Sequence, residues 1–378
     1  MSSLRKQLVQ SFVQTERSLD MVGFRLKQRL GWLGPLMIQP YNTYGNQHSL
    51  YVYGRVLEDK GISLGDENSS AWSNMLSIYR HFQSSEVPDA AVQVRFRGQT
   101  WTLHTNYEGF FEATLDVSHA LDDDQLWQQV ELELLAPKVA QQQAVYATSN
   151  VVVPPTTAEY GVISDIDDTI VRTGATTLFK QARIILLNNA NTRVPFPGVA
   201  AFYNALQKGN GNTSQNPILY VSSSAWNMYR LFERFLDVHG LPQGPLLLRD
   251  FGLDPQKFID TGHQDYKLTR IRPILKMYPE LPFILIGDSG QEDADIYRQV
   301  VYEFPGRIKA IYIRNITPGR QNDRVQRIAE ELQRSHNVTM SLVKDTLAAA
   351  QHAVGNGFIK PDVLEYIRKH KEQDEIVT

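Results

Sequence analysis

The sequence predicts an α/β protein: a parallel sheet with helices on both faces and a small cap, preceded by an antiparallel β-sandwich-like domain with an N-terminal helix. Three observations carry this. Apolar and polar side chains alternate at a period of two over residues 36–153, as in half-buried strands. Beyond residue 158 the pattern changes to short continuous apolar runs separated by stretches of helical period, as in a sheet covered on both faces. Between them lies Val153-Pro154-Pro155-Thr156-Thr157, which cannot continue a central strand. With 378 residues, 42% of them apolar, there is material for two cores, since single domains stop growing near about 250–300 residues. The expected division is 1–35, 36–153 and 158–378.

In chain order, Leu4, Leu8, Phe12, Leu19, Val22, Leu26 and Leu30 share one face at helical period in a segment rich in Arg and Lys. This predicts a basic amphipathic helix packed on its own domain, with contact to a membrane surface as the second reading. Val92-Val94-Phe96, Trp101-Leu103, Phe111-Ala113-Leu115-Val117 and Val130-Leu132-Leu134 predict strands, and Gly98-Gln99 predicts a hairpin turn within an immunoglobulin-like sandwich. The tyrosines from Tyr41 to Tyr53 read as packing more readily than as a binding surface. In the second half, 161–163, 218–221, 283–286 and 310–313 read as parallel strands, and 198–207, 226–238 and 291–302 as helices.

A formal net charge of −3 disfavours general nucleic-acid binding. The absence of cysteine removes disulfides and thiolate chemistry and leaves carboxylates as ligands for a hard cation. No apolar run reaches the roughly 20 residues that span a bilayer, and no signal peptide is evident. The expectation is a cytoplasmic protein, with peripheral membrane contact as the alternative.

In parallel sheets ligands sit beyond the carboxyl ends of the strands. There the sequence places Asp165, Asp167 and Asp168, three carboxylates in four residues whose repulsion a divalent cation would relieve, magnesium being favoured by oxygen-only ligands. Ser222, Ser223 and Ser224 follow the second run and lead toward a helix, a seat for a phosphate. Gly287-Asp288-Ser289-Gly290-Gln291-Glu292-Asp293 is a further acidic loop, and Lys267 a compact cation. Taken singly, a serine turn is usually a helix cap, a lysine a solvated face and Gly-Asp-Ser-Gly a turn. All of them together, in this order at strand ends, point to function.

The order Asp-x-Asp-x-Thr, serine, lysine, Gly-Asp-x-x-x-x-Asp resembles haloacid dehalogenase-type phosphatases. Asp165-Ile-Asp-Asp-Thr, Val221-Ser-Ser-Ser-Ala-Trp-Asn-Met-Tyr, Leu248-Arg-Asp-Phe-Gly and Ile286-Gly-Asp-Ser-Gly-Gln-Glu-Asp-Ala-Asp-Ile-Tyr resemble, more narrowly, the catalytic domain of actin-patch-type phosphatidate phosphatases, over about residues 158–355. Ala225 and Ala294 stand where that family would have proline, and His263 is separated from Lys267, so Lys257 is kept as a second candidate for the motif lysine.

The resemblance implies Asp165 as nucleophile, Asp167 as acid and base, and magnesium held by Asp165, the Asp167 backbone carbonyl and Asp288, with Asp293 acting from the edge. It further implies Ser222, Ser223 and Lys267 on the phosphoryl oxygens and Thr169 fixing the turn, with Arg249 a weaker substrate contact. The implied substrate is phosphatidate or a related lipid phosphate. The alternatives are a soluble-metabolite or phosphoprotein phosphatase, and a scaffold with a vestigial phosphatase domain. Residues 178–191 read as one apolar helix, a small cap at most, which would leave the mouth open to a bulky ester.

Overall fold

The computed structural model of the chain describes residues 26–28, 30–59, 86–118, 125–170, 195–211, 215–249, 263–316 and 319–377, together with Phe24. They form two compact units, one of residues up to 118 with 127–153, the other of 125–126, 154–249 and 263–377. The cap helix expected at 178–191, the alternative lysine Lys257 and most of the N-terminal helix lie outside the described residues.

The first unit is built on two sheets. One holds β1 (Leu36–Pro40), β3 (Ser49–Glu58) and β6 (Phe110–Asp116) in the order β1-β3-β6. The other holds β2 (Thr43–Tyr44), β4 (Ala91–Phe96), β5 (Gln99–His104), β7 (Trp127–Ala136) and β8 (Tyr146–Val152) in the order β2-β8-β7-β4-β5. Alternation sends every second side chain inward, so Val52, Val56, Val92, Val94, Val130 and Leu132 meet in one core. All pairs are antiparallel except β2 with β8, where Thr43 and Tyr44 run parallel to Val151 and Val152, a departure from the antiparallel expectation at the sheet edge.

The hairpin turn between β4 and β5 sits one residue earlier than the sequence suggested. Arg97 and Gly98 have φ of 46° and 81°, and Gln99 already pairs with Phe96. Two successive positive φ values give the turn whose twist matches the flanking strands. Tyr41 and Tyr53 are buried, with ring centres 5.2 Å apart, and Tyr53 stacks on Phe110 at 5.4 Å, so these aromatics pack. Of the N-terminal apolar face, Phe24 packs against the core while Leu26 and Leu30 are exposed. No helix among the described residues is long and apolar enough to cross a membrane.

The second unit is a six-stranded, wholly parallel sheet of β9 (Gly161–Ser164), β10 (Ile218–Ala225), β11 (Leu246–Arg249), β12 (Phe283–Asp288), β13 (Ile308–Arg314) and β14 (Thr339–Val343). Its order is β11-β10-β9-β12-β13-β14. The chain winds outward from β9 in one direction to β11, then starts again at β12 and winds the other way. With right-handed crossovers this puts connecting helices on both faces.

The helices α1 (Val199–Lys208), α2 (Tyr229–Val238), α3 (His263–Met277), α4 (Asp293–Glu303), α5 (Arg320–His336), α6 (Thr346–Gly355) and α7 (Val363–Val377) include two packed groups, α3-α4-α5 and α1-α6-α7. The continuous apolar runs are explained by this burial: Ile163, Leu219, Ile284, Leu285 and Ile311 are all inaccessible.

Two strands were not anticipated, the short leucine run β11 and the edge strand β14. A third difference bears on the site. β10 runs on through the three serines to Ala225, and α2 starts only at Tyr229 after a single 3-10 turn at Trp226–Met228. The serines therefore stand on a strand instead of at a helix N-terminus.

At the centre of the sheet Phe283 lies opposite Gly161, and a Cβ on that glycine would come within 2.3 Å of the Phe283 ring. Gly161→Ala is expected to lower the unfolding free energy by about 1–3 kcal/mol through overpacking. Urea unfolding of the purified chain checks this, and an unchanged midpoint would mean that the two central strands do not pack this way.

Candidate active site

The sheet order reverses between β9 and β12, and a crevice forms beyond the carboxyl ends of strands that diverge in this way. The loop leaving β9 starts at this point. Asp165 N–H donates to Ile286 O at 2.9 Å, tying the loop base to β12, and Ile170 N–H donates to Ile166 O at 3.0 Å, closing one turn. Ile166 and Ile170 anchor the loop in the core. Asp168 takes the left-handed conformation, φ 56°, which aspartate tolerates better than most residues and which reverses the chain after Asp167. Arg314, at the end of β13, steadies the turn by donating from Nε to Thr169 O at 3.1 Å and from Nη2 to Thr346 Oγ1 at 3.1 Å.

Three carboxylates meet one ammonium here. Oxygens of Asp165, Asp288 and Asp293 all lie within 4.8 Å of one another. Lys267 Nζ, from α3, is 3.1 Å from Asp165 Oδ1 and also donates to Asp293 Oδ1. The other Asp293 oxygen accepts from Asp288 N–H at 3.1 Å, and that carboxylate lies directly over Gly287, where a Cβ would come within 2.4 Å of it. Asp288 Oδ1 accepts from Gly290 N–H at 2.7 Å and Gln291 N–H at 3.0 Å, leaving Oδ2 buried with no hydrogen-bond partner. Gln291 Nε2 faces both Asp165 Oδ2, at 3.4 Å, and the Asp167 carbonyl oxygen, at 3.3 Å.

Asp167 belongs to a second, separate set. Ser222 Oγ and Ser224 Oγ both donate to its Oδ2, at 2.9 and 2.8 Å, and Ser224 N–H donates to Ser222 Oγ at 3.0 Å. Residues two apart on a strand face the same way, which is why one strand supplies both hydroxyls.

Charge is badly out of balance. Burial holds the Asp165 carboxyl well above its usual value; Lys267 pulls it back, and Asp293, Asp288 and Asp167 raise it further. Burial, then Asp293, pushes Asp288 up to about 8 against the pull of Lys267. Burial disfavours the charge on Lys267, but Asp165, Asp293 and Asp288 more than reverse this and keep it protonated. Among the described residues a single ammonium, that of Lys267, meets the three buried carboxylates and does not satisfy them. The unpartnered Asp288 Oδ2, the all-oxygen donor set and the surplus negative charge fit a divalent cation.

The structure thus brings Asp165, Asp167, Lys267, Asp288 and Asp293 together, with Ser222 touching Asp167. Asp293 is wholly buried and ties Lys267 to the Asp288 backbone. Ser223 faces the opposite way from its neighbours along the strand, and its hydroxyl is buried without a hydrogen-bond partner, as is that of Thr169. Arg249 ends β11 beside Ala225, its guanidinium 5.8 Å from the centre of the Tyr266 ring. Arg314 was not anticipated, and Gly287 and Gln291 were expected only as members of the acidic loop. Ser224 was expected in a phosphate seat, whereas it donates to Asp167; strand periodicity would have paired it with Ser222, had β10 been extended past Val221.

A doubly wound parallel sheet with this cluster at its switch point defines an α/β domain with a ligand site at the strand ends. Residues 160–315 match the family described as phosphatidate phosphatase APP1, catalytic domain. It is 33% identical over 158 residues to phosphatidate phosphatase APP1 of Saccharomyces cerevisiae, covering 41% of this chain and 25% of that protein. An uncharacterised protein of Schizosaccharomyces pombe is 27% identical over 157 residues, with the same coverage of each. The chain spans about a quarter of the length of these relatives. Among solved structures, the PilB minor pilin of Streptococcus sanguinis covers 96% of this chain and 97% of its own at 9% identity, with a TM-score of 0.27, too distant to bear on the fold.

Metal binding here should be linked to pH. Asp288 has a folded-state value of about 8 against 3.8 for a free side chain. Without a cation its contribution to stability is therefore full below about pH 4 and is lost as the pH rises toward about 8. A divalent cation needs the ionised ligand and reverses that loss. The rise in Tm on adding magnesium is expected to be larger near pH 8 than near pH 5.5, and to vanish in Asp288→Asn. Equal increments at both pH values, or an increment retained in the variant, would remove Asp288 from the cation site.

Proposed function

We propose that the chain is a magnesium-dependent phosphohydrolase of haloacid dehalogenase type, hydrolysing a phosphate monoester, with phosphatidate or a related lipid phosphate as substrate. The observation that carries this is the division of two carboxylates two residues apart. Asp165 sits among Lys267, Asp288 and Asp293, and Asp167 sits on the serines of β10. Carboxylates in such different surroundings take different roles, one nucleophilic and one acid–base. The lipid substrate rests on the likeness of residues 160–315 to the catalytic domain of a phosphatidate phosphatase.

Asp165, the Asp167 carbonyl and Asp288 would hold the cation, which when bound offsets the charge of phosphate and nucleophile alike and keeps both carboxylates ionised. Asp165 then attacks phosphorus in line, the ester P–O bond breaks, and Asp167 gives its proton to the departing oxygen. In the second step Asp167 takes a proton from water as the water oxygen bonds to phosphorus, releasing phosphate and restoring Asp165. Asp293 keeps Lys267 extended beside the nucleophile and fixes the backbone at Asp288. Lys267 orients phosphoryl oxygens together with Ser222.

Asp165→Asn is nearly isosteric and a poor nucleophile. Magnesium-dependent phosphate release should fall by about a thousandfold or more in this variant. Wild-type turnover in it would overturn the assignment. Phosphatidate in mixed micelles should be the preferred substrate against sugar phosphates, nucleotides and phosphopeptides; equal or better turnover of a soluble ester would replace the lipid reading with a metabolite or phosphoprotein one.

A further inference from the structure

We propose that Ser224 is a positioning residue for the acid–base carboxylate: it grips Asp167 by Oδ2 so that Oδ1 exchanges the proton with the leaving group. This rests on the phosphatase reading above. The argument begins with strand lengths. β9 ends at Ser164, opposite Tyr220, whereas β10 continues to Ala225. The overhang runs alongside the loop that carries Asp167, and its period of two turns Ser222 and Ser224, but not Ser223, toward that carboxylate.

Each serine hydroxyl has a single proton. That of Ser222 is spent on Asp167 Oδ2, while its oxygen accepts from Ser224 N–H. If Ser222 turns its proton to a phosphoryl oxygen, it can no longer donate to Asp167. Ser224 Oγ donates to the same Oδ2 at 2.8 Å from a position itself 8% exposed. It therefore keeps the carboxylate in place when Ser222 is drawn to substrate.

The Ser224 donor on Oδ2 also decides where the acid's proton resides. A protonated Oδ2 would be a poor acceptor for that hydroxyl, so the proton sits on Oδ1. In the first step it passes from Oδ1 to the ester oxygen as the P–O bond breaks and phosphorus bonds to Asp165. In the second, a proton of the attacking water returns to Oδ1 and the bond to Asp165 breaks. Ser224 gains and loses nothing in either step.

The test compares leaving groups. Steady-state rates of the full chain with magnesium are measured on phosphatidate, whose leaving alkoxide needs a proton, and on p-nitrophenyl phosphate, whose phenolate leaves without one. Ser224→Ala is expected to lower kcat/KM, which reports the first step alone, about tenfold on phosphatidate, the loss of one positioning hydrogen bond, and by less than about twofold on p-nitrophenyl phosphate. Ser224→Thr, which keeps the hydroxyl, restores the ratio between the two esters. Ser224→Cys, close in volume and a weak donor, gives the alanine result even if the alanine variant does not fold. Equal losses on both esters, no loss on phosphatidate, or a threonine variant with the alanine ratio would overturn the role of Ser224 and leave the phosphatase reading standing. Wild-type protein that hydrolyses neither ester overturns that reading itself.

Discussion

Three buried carboxylates share one buried ammonium among the described residues at the switch point of the sheet, and the rest of the α/β unit is arranged around that crowding. Asp165, Asp288 and Asp293 come from two adjacent strand ends and the first turn of a helix. Bare, they would repel one another in a low-dielectric setting, and Lys267 offsets only part of that charge. The fold holds them by devices that are costly elsewhere: a glycine at 287 so that Asp293 can lie on the backbone, backbone amides turned onto Asp288, and a left-handed Asp168. Such an arrangement costs stability in the metal-free chain and becomes useful once a cation binds there.

Separating Asp167 from this cluster follows from the same topology. The strand to the other side of β9 overshoots it and offers hydroxyls instead of charges. One aspartate is thereby surrounded by ionic partners and its neighbour two residues on by neutral donors. A single short loop can then present two carboxylates with different chemistry.

Much of this was legible before any coordinates. The runs at 161–163, 218–221, 283–286 and 310–313 are apolar throughout because central strands are covered on both faces, and residues just beyond them fall at the site. Edge strands give weaker signals: Leu246–Arg249 is only four residues directly after Pro245, and Thr339–Val343 mixes polar and apolar residues because one side lacks a partner strand. The end of β10 was hidden for another reason, since three serines lack the bulk that marks a strand, and only the pairing of Ser222 and Ser224 with Asp167 shows why they continue one. Gln291 left no trace in the pattern, because an amide in an acidic loop reads as a solvated residue until its Nε2 is placed between Asp165 and the Asp167 carbonyl. The β4–β5 turn was displaced by one residue because the glycine was taken as its first central position, whereas Arg97 holds that place with positive φ.

In the proposed mechanism Asp165 carries the phosphoryl group. The most direct test is to quench a single turnover with acid, reduce with borohydride, and read the peptide containing residues 165–170 by mass spectrometry. An aspartyl-phosphate at residue 165 would be converted to homoserine there. Homoserine at residue 165, formed only when substrate and magnesium are present, is the predicted result; an unmodified Asp165 with phosphate trapped on another side chain would contradict the account.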